Sequence, residues 1–132
     1  LEPPVDEAFQ MGFSLGMALN SDIKVVTSFP RMDFLLLAHS ELVNHVNRIK
    51  EYSVGEFSPS LIIRTAIGSK IPLDPQAQHR NDYTDELKSM CDNIEVVKLD
   101  NAEMVLPSYQ KAYFREDGQS TLLVEIPDLF GS

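Results

Sequence analysis

Four short apolar runs, rich in Val, Ile and Leu, recur along the chain with polar segments between them. Runs of this length and composition are typical of buried strands. The predicted strands are IKVVTS (23–28), SLIIRT (60–65), IEVVKL (94–99) and STLLVEI (120–126). Strands that alternate with helices form parallel sheets covered on both faces. The sequence therefore predicts an α/β fold, a three-layer α/β/α domain with a mainly parallel sheet.

The segments around these strands carry apolar residues at helical spacing. Phe9, Phe13 and Met17 fall four apart, after prolines and acidic residues that suit a helix N-terminus. In the last segment we expect Asn101 to cap the helix and Pro107 to kink it. The predicted helices are PPVDEAFQMGFSLGMALN (3–20), DFLLLAHSELVNHVNRIKEYS (33–53), DYTDELKSM (82–90) and NAEMVLPSYQKAYFRED (101–117).

Composition narrows the class of protein and its partners. The 132 residues, 43% hydrophobic and 23% charged, predict one globular domain over 1–132. The net charge of −9 repels phosphate backbones, so we expect no nucleic-acid partner. No apolar run approaches the roughly 20 residues that span a bilayer, so we expect no membrane association. The single cysteine, Cys91, excludes an internal disulfide and fits a reducing compartment, the cytoplasm or an organelle matrix.

The ends of the predicted strands indicate where a site would lie. Ligands of parallel sheets bind at the carboxyl ends of the strands, which here lead into SFPRMDF (28–34) and RTAIGSKIPLDPQAQH (64–79). The second segment contains a loop of roughly 15 residues, and loops that long are usually functional or mobile. His79 ends this loop. Its position is compatible both with an active-site imidazole and with a solvated loop histidine.

Metal binding and cysteine chemistry are not favoured by the spacing of the residues. His39 and His45 are six apart on a predicted helix, so they point to different faces, with no third ligand at zinc-like spacing. Both are expected to be partly exposed. Cys91 follows a helical run and is expected to be a small buried residue. No Walker or Rossmann glycine motif occurs, and we predict no metal site in this chain.

Four stretches, taken in order, carry a family resemblance that covers nearly the whole chain. They are VDEAFQMGFSLGMALN, DFLLLAHSELVNHVNRIKEYSVGE, SLIIRTAIGSK with the later AQH, and DNIEVVKLDNAEM. Together they resemble the pyrimidine-binding domain shared by transketolases and the beta subunits of 2-oxo-acid dehydrogenase decarboxylases. The resemblance implies a thiamine diphosphate-binding fold.

The resemblance also implies roles for individual residues. Glu7 matches the glutamate that hydrogen-bonds the pyrimidine N1′, although a glutamate there also favours the helix dipole by about 0.3–1 kcal/mol. Phe34 matches an aromatic platform for the pyrimidine, or opens the core face of its helix, and Phe29 and Met32 are further candidates for cofactor contact. His79 matches the histidine that faces the substrate and exchanges protons. Glu7, Phe34 and His79 are therefore expected at one edge of the sheet.

The cofactor implied is thiamine diphosphate, with Mg²⁺ supplied by a partner domain, because the Gly-Asp-Gly…Asn motif of the diphosphate-binding domain does not occur here. The chain is interpreted as an excised or truncated pyrimidine domain, or as one member of a split enzyme. The implied enzyme is an oxidoreductase of the 2-oxo-acid dehydrogenase type or a transferase of the transketolase type, inactive without its partner. The alternative is a truncated, non-catalytic relative that serves assembly or interaction.

The expected partner is a diphosphate-binding domain or an alpha-type subunit, in a homodimer or hetero-oligomer. Gly12 and Gly16 lie four apart on the first predicted helix, and two small residues at this spacing let a neighbouring backbone approach closely. We expect this strip, beside Phe13 and Met17, to pack on a second copy or a partner subunit.

Overall fold

The computed structural model describes residues 1–20, 23–71 and 73–129. Within these ranges the chain is a mixed α/β protein built on a four-stranded sheet in the order β1-β2-β4-β3, with every neighbouring pair parallel. The strands are β1 (Val25–Ser28), β2 (Leu61–Ala66), β3 (Ile94–Leu99) and β4 (Ser120–Glu125). The predicted α/β class and the parallel sheet are confirmed. All four predicted strands are present, with differences only in their end residues.

The helices are shorter than the sequence pattern predicts. The α-helices are α1 (Glu7–Ala18), α2 (Met32–Leu35), α3 (Ile49–Tyr52), α4 (Thr84–Met90) and α5 (Val105–Phe114). Single 3₁₀ turns and one π-helical segment link or extend them: Leu36–Ala38, Ala77–His79, Ala102–Met104 and Pro127–Leu129 are 3₁₀, and Glu41–Val46 is π-helical.

The predicted helix over 33–53 is wrong as one continuous α-helix. The Asn47 N–H donates to the carbonyl of Leu42, five residues back, at 2.9 Å, which is a π-type turn. The buried Asn47 side chain then reaches the turn between α4 and β3, where it donates to Asp92 Oδ1 at 3.1 Å and accepts from the Asn93 N–H at 2.9 Å. The wider turn thus coincides with a tertiary contact that periodicity along one segment does not reveal.

The last helix also differs from its prediction. Asn101 acts as a cap, as expected, but for the 3₁₀ turn: its Oδ1 accepts from the Met104 N–H at 3.1 Å. The α-helix proper starts at Val105, so Pro107 lies in its first turn. Backbone N–H groups in the first turn have no intrahelical acceptor, so proline is tolerated there and no kink is required.

The two faces of the sheet are covered to different extents. The main core lies between the sheet and the helices α1, α2 and α4, and includes Phe29, Met32 and Leu122. A second, smaller core of Ile62, Leu99, Ala112 and Leu123 lies beneath α5. Val26 on β1, the register partner of Ile62, is 55% exposed. Coverage of both faces is therefore incomplete at the β1 edge on the α5 side.

In the part of the chain that the structure describes, nothing packs against the glycine strip on α1. Gly12 and Gly16 are both exposed, and a Cβ added at either would meet nothing within 4 Å. Phe9 and Phe13 on the same helix are 49% and 43% exposed, and their rings stack with centroids 5.8 Å apart. Packing of this surface on another chain remains a prediction.

Candidate functional site

Two rings meet beyond the carboxyl ends of β1 and β2. Phe34 comes from α2, which follows β1, and His79 comes from the 3₁₀ turn in the long segment after β2. Their ring centroids are 5.1 Å apart, with the planes inclined at 34°. Both residues are half-buried. The carboxyl edge of the parallel sheet, where ligands of such sheets bind, thus presents an aromatic surface beside a titratable imidazole.

A close backbone approach and a side-chain hydrogen bond hold the His79 turn in this place. A Cβ added to Gly68, just after β2, would lie 1.8 Å from the carbonyl oxygen of His79, so only glycine fits there without movement. Asn81 donates from Nδ2 to Asp33 Oδ1 at 2.6 Å and to the Ala77 carbonyl at 3.1 Å. The turn is therefore fixed against both the end of β2 and the first turn of α2. Pro72, in the predicted loop, lies outside the described residues.

Two buried polar atoms beside this ring pair have no hydrogen-bond partner within the described residues. They are His79 Nδ1 and Asp33 Oδ2, and Thr65 Oγ1 on β2 is a third such atom. A buried polar group left unpaired costs about 1–3 kcal/mol, so such atoms are uncommon in folded proteins. Two of them belong to residues of the same small contact, which makes it a candidate binding site for a polar ligand.

Glu7 also lies at the carboxyl edge of the sheet. It is the first residue of α1, and its neighbour Asp6 caps the helix by accepting from the Phe9 N–H at 2.9 Å. One turn later, Gln10 donates to the Ser28 carbonyl at 3.0 Å, at the end of β1. Because Asp6 performs the capping, the half-buried carboxylate of Glu7 is not needed for it.

The structure brings Phe34 and His79 together, whereas Glu7 lies in a separate groove at the carboxyl edge. Glu7 lines a groove of about 650 Å³ between α1, β1 and the N-terminal segment. Pro30 lines the same groove and is four positions before Phe34. Neither Phe34 nor His79 lines it. The carboxyl edge therefore carries a carboxylate groove and a ring pair rather than one shared cavity.

Phe29 and Met32 require a correction, because neither can contact a ligand from its place in this structure. Both have 0% exposure and belong to the main core. Phe29 donates its N–H to the Arg64 carbonyl at 2.8 Å, and the Met32 sulfur accepts from the Tyr83 N–H at 2.9 Å. Apolar residues in a strand-to-helix connection can line a site or fill the core beneath it. Here these two fill the core.

An ion cluster on the α5 side of the same edge was not found from the sequence. Arg64 donates from Nε to Glu125 Oε1 at 2.9 Å and from Nη1 to Ser28 Oγ at 3.0 Å, which joins β1, β2 and β4. Tyr109 on α5 donates its hydroxyl to Glu125 Oε1 at 2.8 Å. Burial and the Glu125 carboxylate raise the pKa of Tyr109. Burial opposes ionisation of Glu125, but the hydrogen bonds from Arg64 and Tyr109 outweigh it and lower the pKa of Glu125. The groups satisfy one another, and their role is structural.

The remaining candidates offer no alternative chemistry. His39 is half-buried and His45 exposed, and the described residues contain no group of three His, Cys, Asp or Glu that could hold a metal ion. Cys91 is buried, as expected, and burial raises the pKa of its thiol to about 11, so the nucleophilic thiolate is scarce near neutral pH.

None of the helices in the described ranges is both long enough and apolar enough to cross a membrane. No protein-family model matches the chain, and no curated protein is significantly similar to it.

Proposed function

We propose that this chain is the pyrimidine-binding module of a thiamine diphosphate-dependent enzyme, similar to a 2-oxo-acid dehydrogenase beta subunit or a transketolase. The observation that carries the proposal is the Phe34–His79 ring pair at the carboxyl edge of a parallel sheet, together with buried polar atoms of His79 and Asp33 that have no partner among the described residues. A flat ring that bears an amino group could use both the apolar surface and the unpaired atoms. The order of the motifs in the sequence supports the same family.

Each residue of the proposed site has a chemical duty. Thiamine diphosphate, when bound, supplies a thiazolium carbon whose proton is removed by its own iminopyrimidine nitrogen. Glu7 would accept a hydrogen bond from the ring N–H that the imino form of the pyrimidine carries, and it is free to do so because Asp6 caps α1. Phe34 would contact the face of the pyrimidine ring, and the His79 imidazole would exchange a proton with the substrate.

The diphosphate end of the cofactor is assigned to a partner domain. The net charge of −9 opposes a bound anion, and the sequence contains no glycine-rich phosphate loop. We therefore infer that the partner, a diphosphate-binding domain or an alpha-type subunit, supplies Mg²⁺ and the phosphate contacts. A reducing compartment, the cytoplasm or an organelle matrix, is the proposed location, and the free buried Cys91 is compatible with it.

The isolated chain provides the first test, because a pyrimidine site alone should bind at about millimolar affinity. We expect a 4-aminopyrimidine fragment of the cofactor to shift the NMR signals of Phe34 and His79 in a saturable way. Glu7→Gln should weaken this binding, whereas Glu2→Gln, the same change at an exposed residue of the same groove, should not. Absence of saturable shifts, or micromolar affinity for whole thiamine diphosphate without a partner, would contradict the proposal.

The second test uses the assembled enzyme. A diphosphate-binding partner identified by copurification should create thiamine diphosphate-dependent turnover of a 2-oxo acid or a sugar phosphate. In that complex Glu7→Gln should abolish turnover and leave assembly unchanged. Retained turnover would remove Glu7 from the proposed mechanism.

A non-catalytic assembly subunit is the second candidate, and the exposed face of α1 favours it. The stacked Phe9 and Phe13 rings, 49% and 43% exposed, and the open Gly12–Gly16 strip form a partly exposed apolar surface on α1. A subunit of this kind would copurify with its partner through this face and show no thiamine-dependent activity. Phe9→Ser and Phe13→Ser should then abolish copurification, whereas Glu7→Gln should have no effect on any measured property.

A further inference from the structure

His79 lies in a segment that has few contacts of its own with the rest of the molecule. Gln76, Ala77, Gln78 and Arg80 are exposed, and Leu73 earlier in the segment is 77% exposed. Little apolar surface is therefore available to hold the segment down. Its position has to come from a small number of specific contacts.

One hydrogen bond provides most of the attachment of this segment to the rest of the molecule. Between residues 73 and 81, the bond from Asn81 Nδ2 to Asp33 Oδ1 at 2.6 Å is the only one that reaches a described residue outside the segment. The other bonds stay inside it: Arg80 pairs with Asp74 at 3.2 Å, and the same Asn81 amide also donates to Ala77. Asn81 therefore both tightens the turn and docks it on α2.

Two contacts join the turn to α2, and the residues that make them lie close together in the sequence of each element. Asp33 and Phe34 are neighbours in α2, while His79 and Asn81 are two positions apart in the turn. The hydrogen bond from Asn81 to Asp33 fixes the position of the turn. The contact between the His79 and Phe34 rings fixes the orientation of the imidazole. Gly68 sets the distance of the turn from β2, because its missing side chain admits the His79 carbonyl.

We propose that Asn81 is a positioning residue that acts through Asp33 to hold the His79 imidazole against Phe34. Its consequence for proton transfer by His79 rests on the proposed function, whereas the placement itself does not. The bond engages Asp33 Oδ1, while Asp33 Oδ2 and His79 Nδ1 are buried without a hydrogen-bond partner among the described residues.

The segment that follows is anchored independently, so a change at Asn81 should remain local. Lys98 pairs with Asp82 Oδ2 at 2.7 Å, and Asp82 Oδ1 accepts from the Thr84 N–H at 3.0 Å at the start of α4. The Tyr83 N–H donates to Met32. Loss of the Asn81 bond should release the turn and leave α4 and the sheet unchanged.

The test is NMR spectroscopy of the full chain, labelled so that the Phe34 and His79 ring protons are resolved. The wild type should show nuclear Overhauser effects between the two rings, and a ring-current shift of the His79 protons. Asn81→Ala and Asn81→Asp should abolish both signals while the amide spectrum of the sheet is unchanged. Asn44→Asp, the same change at an exposed asparagine away from the turn, should preserve them.

A reversed pair tests whether the Asp33–Asn81 bond itself is responsible. Asn81→Asp places a second carboxylate 2.6 Å from Asp33, whereas Asp33→Asn combined with Asn81→Asp restores one donor and one acceptor. We expect the double variant to recover the ring contact in part, because the bond to Ala77 is not restored. Ring contacts that persist in Asn81→Ala, or a double variant no better than Asn81→Asp alone, would overturn the inference.

Titration of the same samples with the 4-aminopyrimidine fragment separates this inference from the proposed function. If the wild type does not respond to the fragment but Asn81→Ala loses the ring contact, the positioning role stands and the cofactor assignment fails. If the wild type binds the fragment and Asn81→Ala keeps the ring contact, the cofactor assignment stands and the positioning role is refuted.

Discussion

Gly68→Ala is the most direct test of how the His79 turn is held. The new Cβ would lie 1.8 Å from the His79 carbonyl oxygen and 3.1 Å from the Arg80 Cα. Both are backbone atoms, so no side chain can rotate away. Ordinary van der Waals contact begins at 3.4 Å, which requires the oxygen or the new methyl group to move by about 1.6 Å. A displacement of that size would break the 2.6 Å bond from Asn81 to Asp33.

The loss of folding stability in Gly68→Ala has an upper limit, because the His79 turn can detach from β2 and α2 while the sheet stays folded. Overpacking of this kind typically costs about 1–3 kcal/mol. One hydrogen bond at about 0.5–1.5 kcal/mol and one ring contact of similar size give a comparable limit for the release of the turn. We therefore expect Gly68→Ala to lower the free energy of unfolding by about 1–3 kcal/mol and to abolish the ring contact between Phe34 and His79.

Chemical denaturation monitored by circular dichroism measures the first effect, and NMR the second. The matched controls are Gly12→Ala and Gly16→Ala, which add the same methyl group where no described residue lies within 4 Å. Both glycines are exposed inside a helix, so these changes should stabilise the protein by about 0.5–1 kcal/mol each. Wild-type stability together with an intact ring contact in Gly68→Ala would refute the close approach on which this reasoning depends.

Three further predictions concern groups away from this turn. Cys91 is buried and its thiol has a pKa of about 11, so at pH 7 it should react with a thiol reagent only as fast as the protein opens locally. Denaturant should accelerate the reaction, and rapid labelling of the native protein would contradict this. Arg115 holds the pKa of Asp117 at about 2, below its ordinary 3.8, so the stabilisation is present above pH 3.8 and is lost as the pH falls through 2. Asp117→Asn should therefore destabilise the protein at pH 7, and its difference from wild type in thermal unfolding should shrink toward pH 2; a difference independent of pH would exclude this ion pair. Tyr109→Phe removes the hydroxyl that donates to Glu125 and should cost about 0.5–1.5 kcal/mol in denaturant unfolding, whereas an unchanged midpoint would show that water replaces the bond.

The strands could be predicted because their signal is local. Short runs rich in β-branched Val and Ile favour strands, and β3 has the bounds that the sequence predicts. The same holds for Asn101, whose side chain needs only its own backbone neighbours to form a cap. The carboxyl-edge rule placed Phe34 and His79 in the correct region, because in a parallel sheet the strand ends fix where the connecting segments start.

The hydrophobic pattern and the carboxyl-edge rule could not predict which side chains of this region are accessible and which bonds hold them. Phe29, Met32 and Phe34 have similar apolar character and lie within six positions of each other. Only the packing of α1 and α4 against the sheet decides that the first two are buried and the third is half-exposed. The Asn81–Asp33 bond joins residues 48 positions apart, so no pattern within one segment predicts it.

The sequence by itself determined where the strands lie along the chain and the α/β class, because hydrophobic spacing along a segment is set by which of its own faces is buried. The tertiary structure alone decided the strand order β1-β2-β4-β3, which brings Arg64 on β2 against Glu125 on β4. It also decided that the helix after β1 is interrupted, and that the β1 edge is uncovered on the α5 side. These features depend on which elements lie side by side, and that choice minimises the free energy of the whole chain rather than of any one segment.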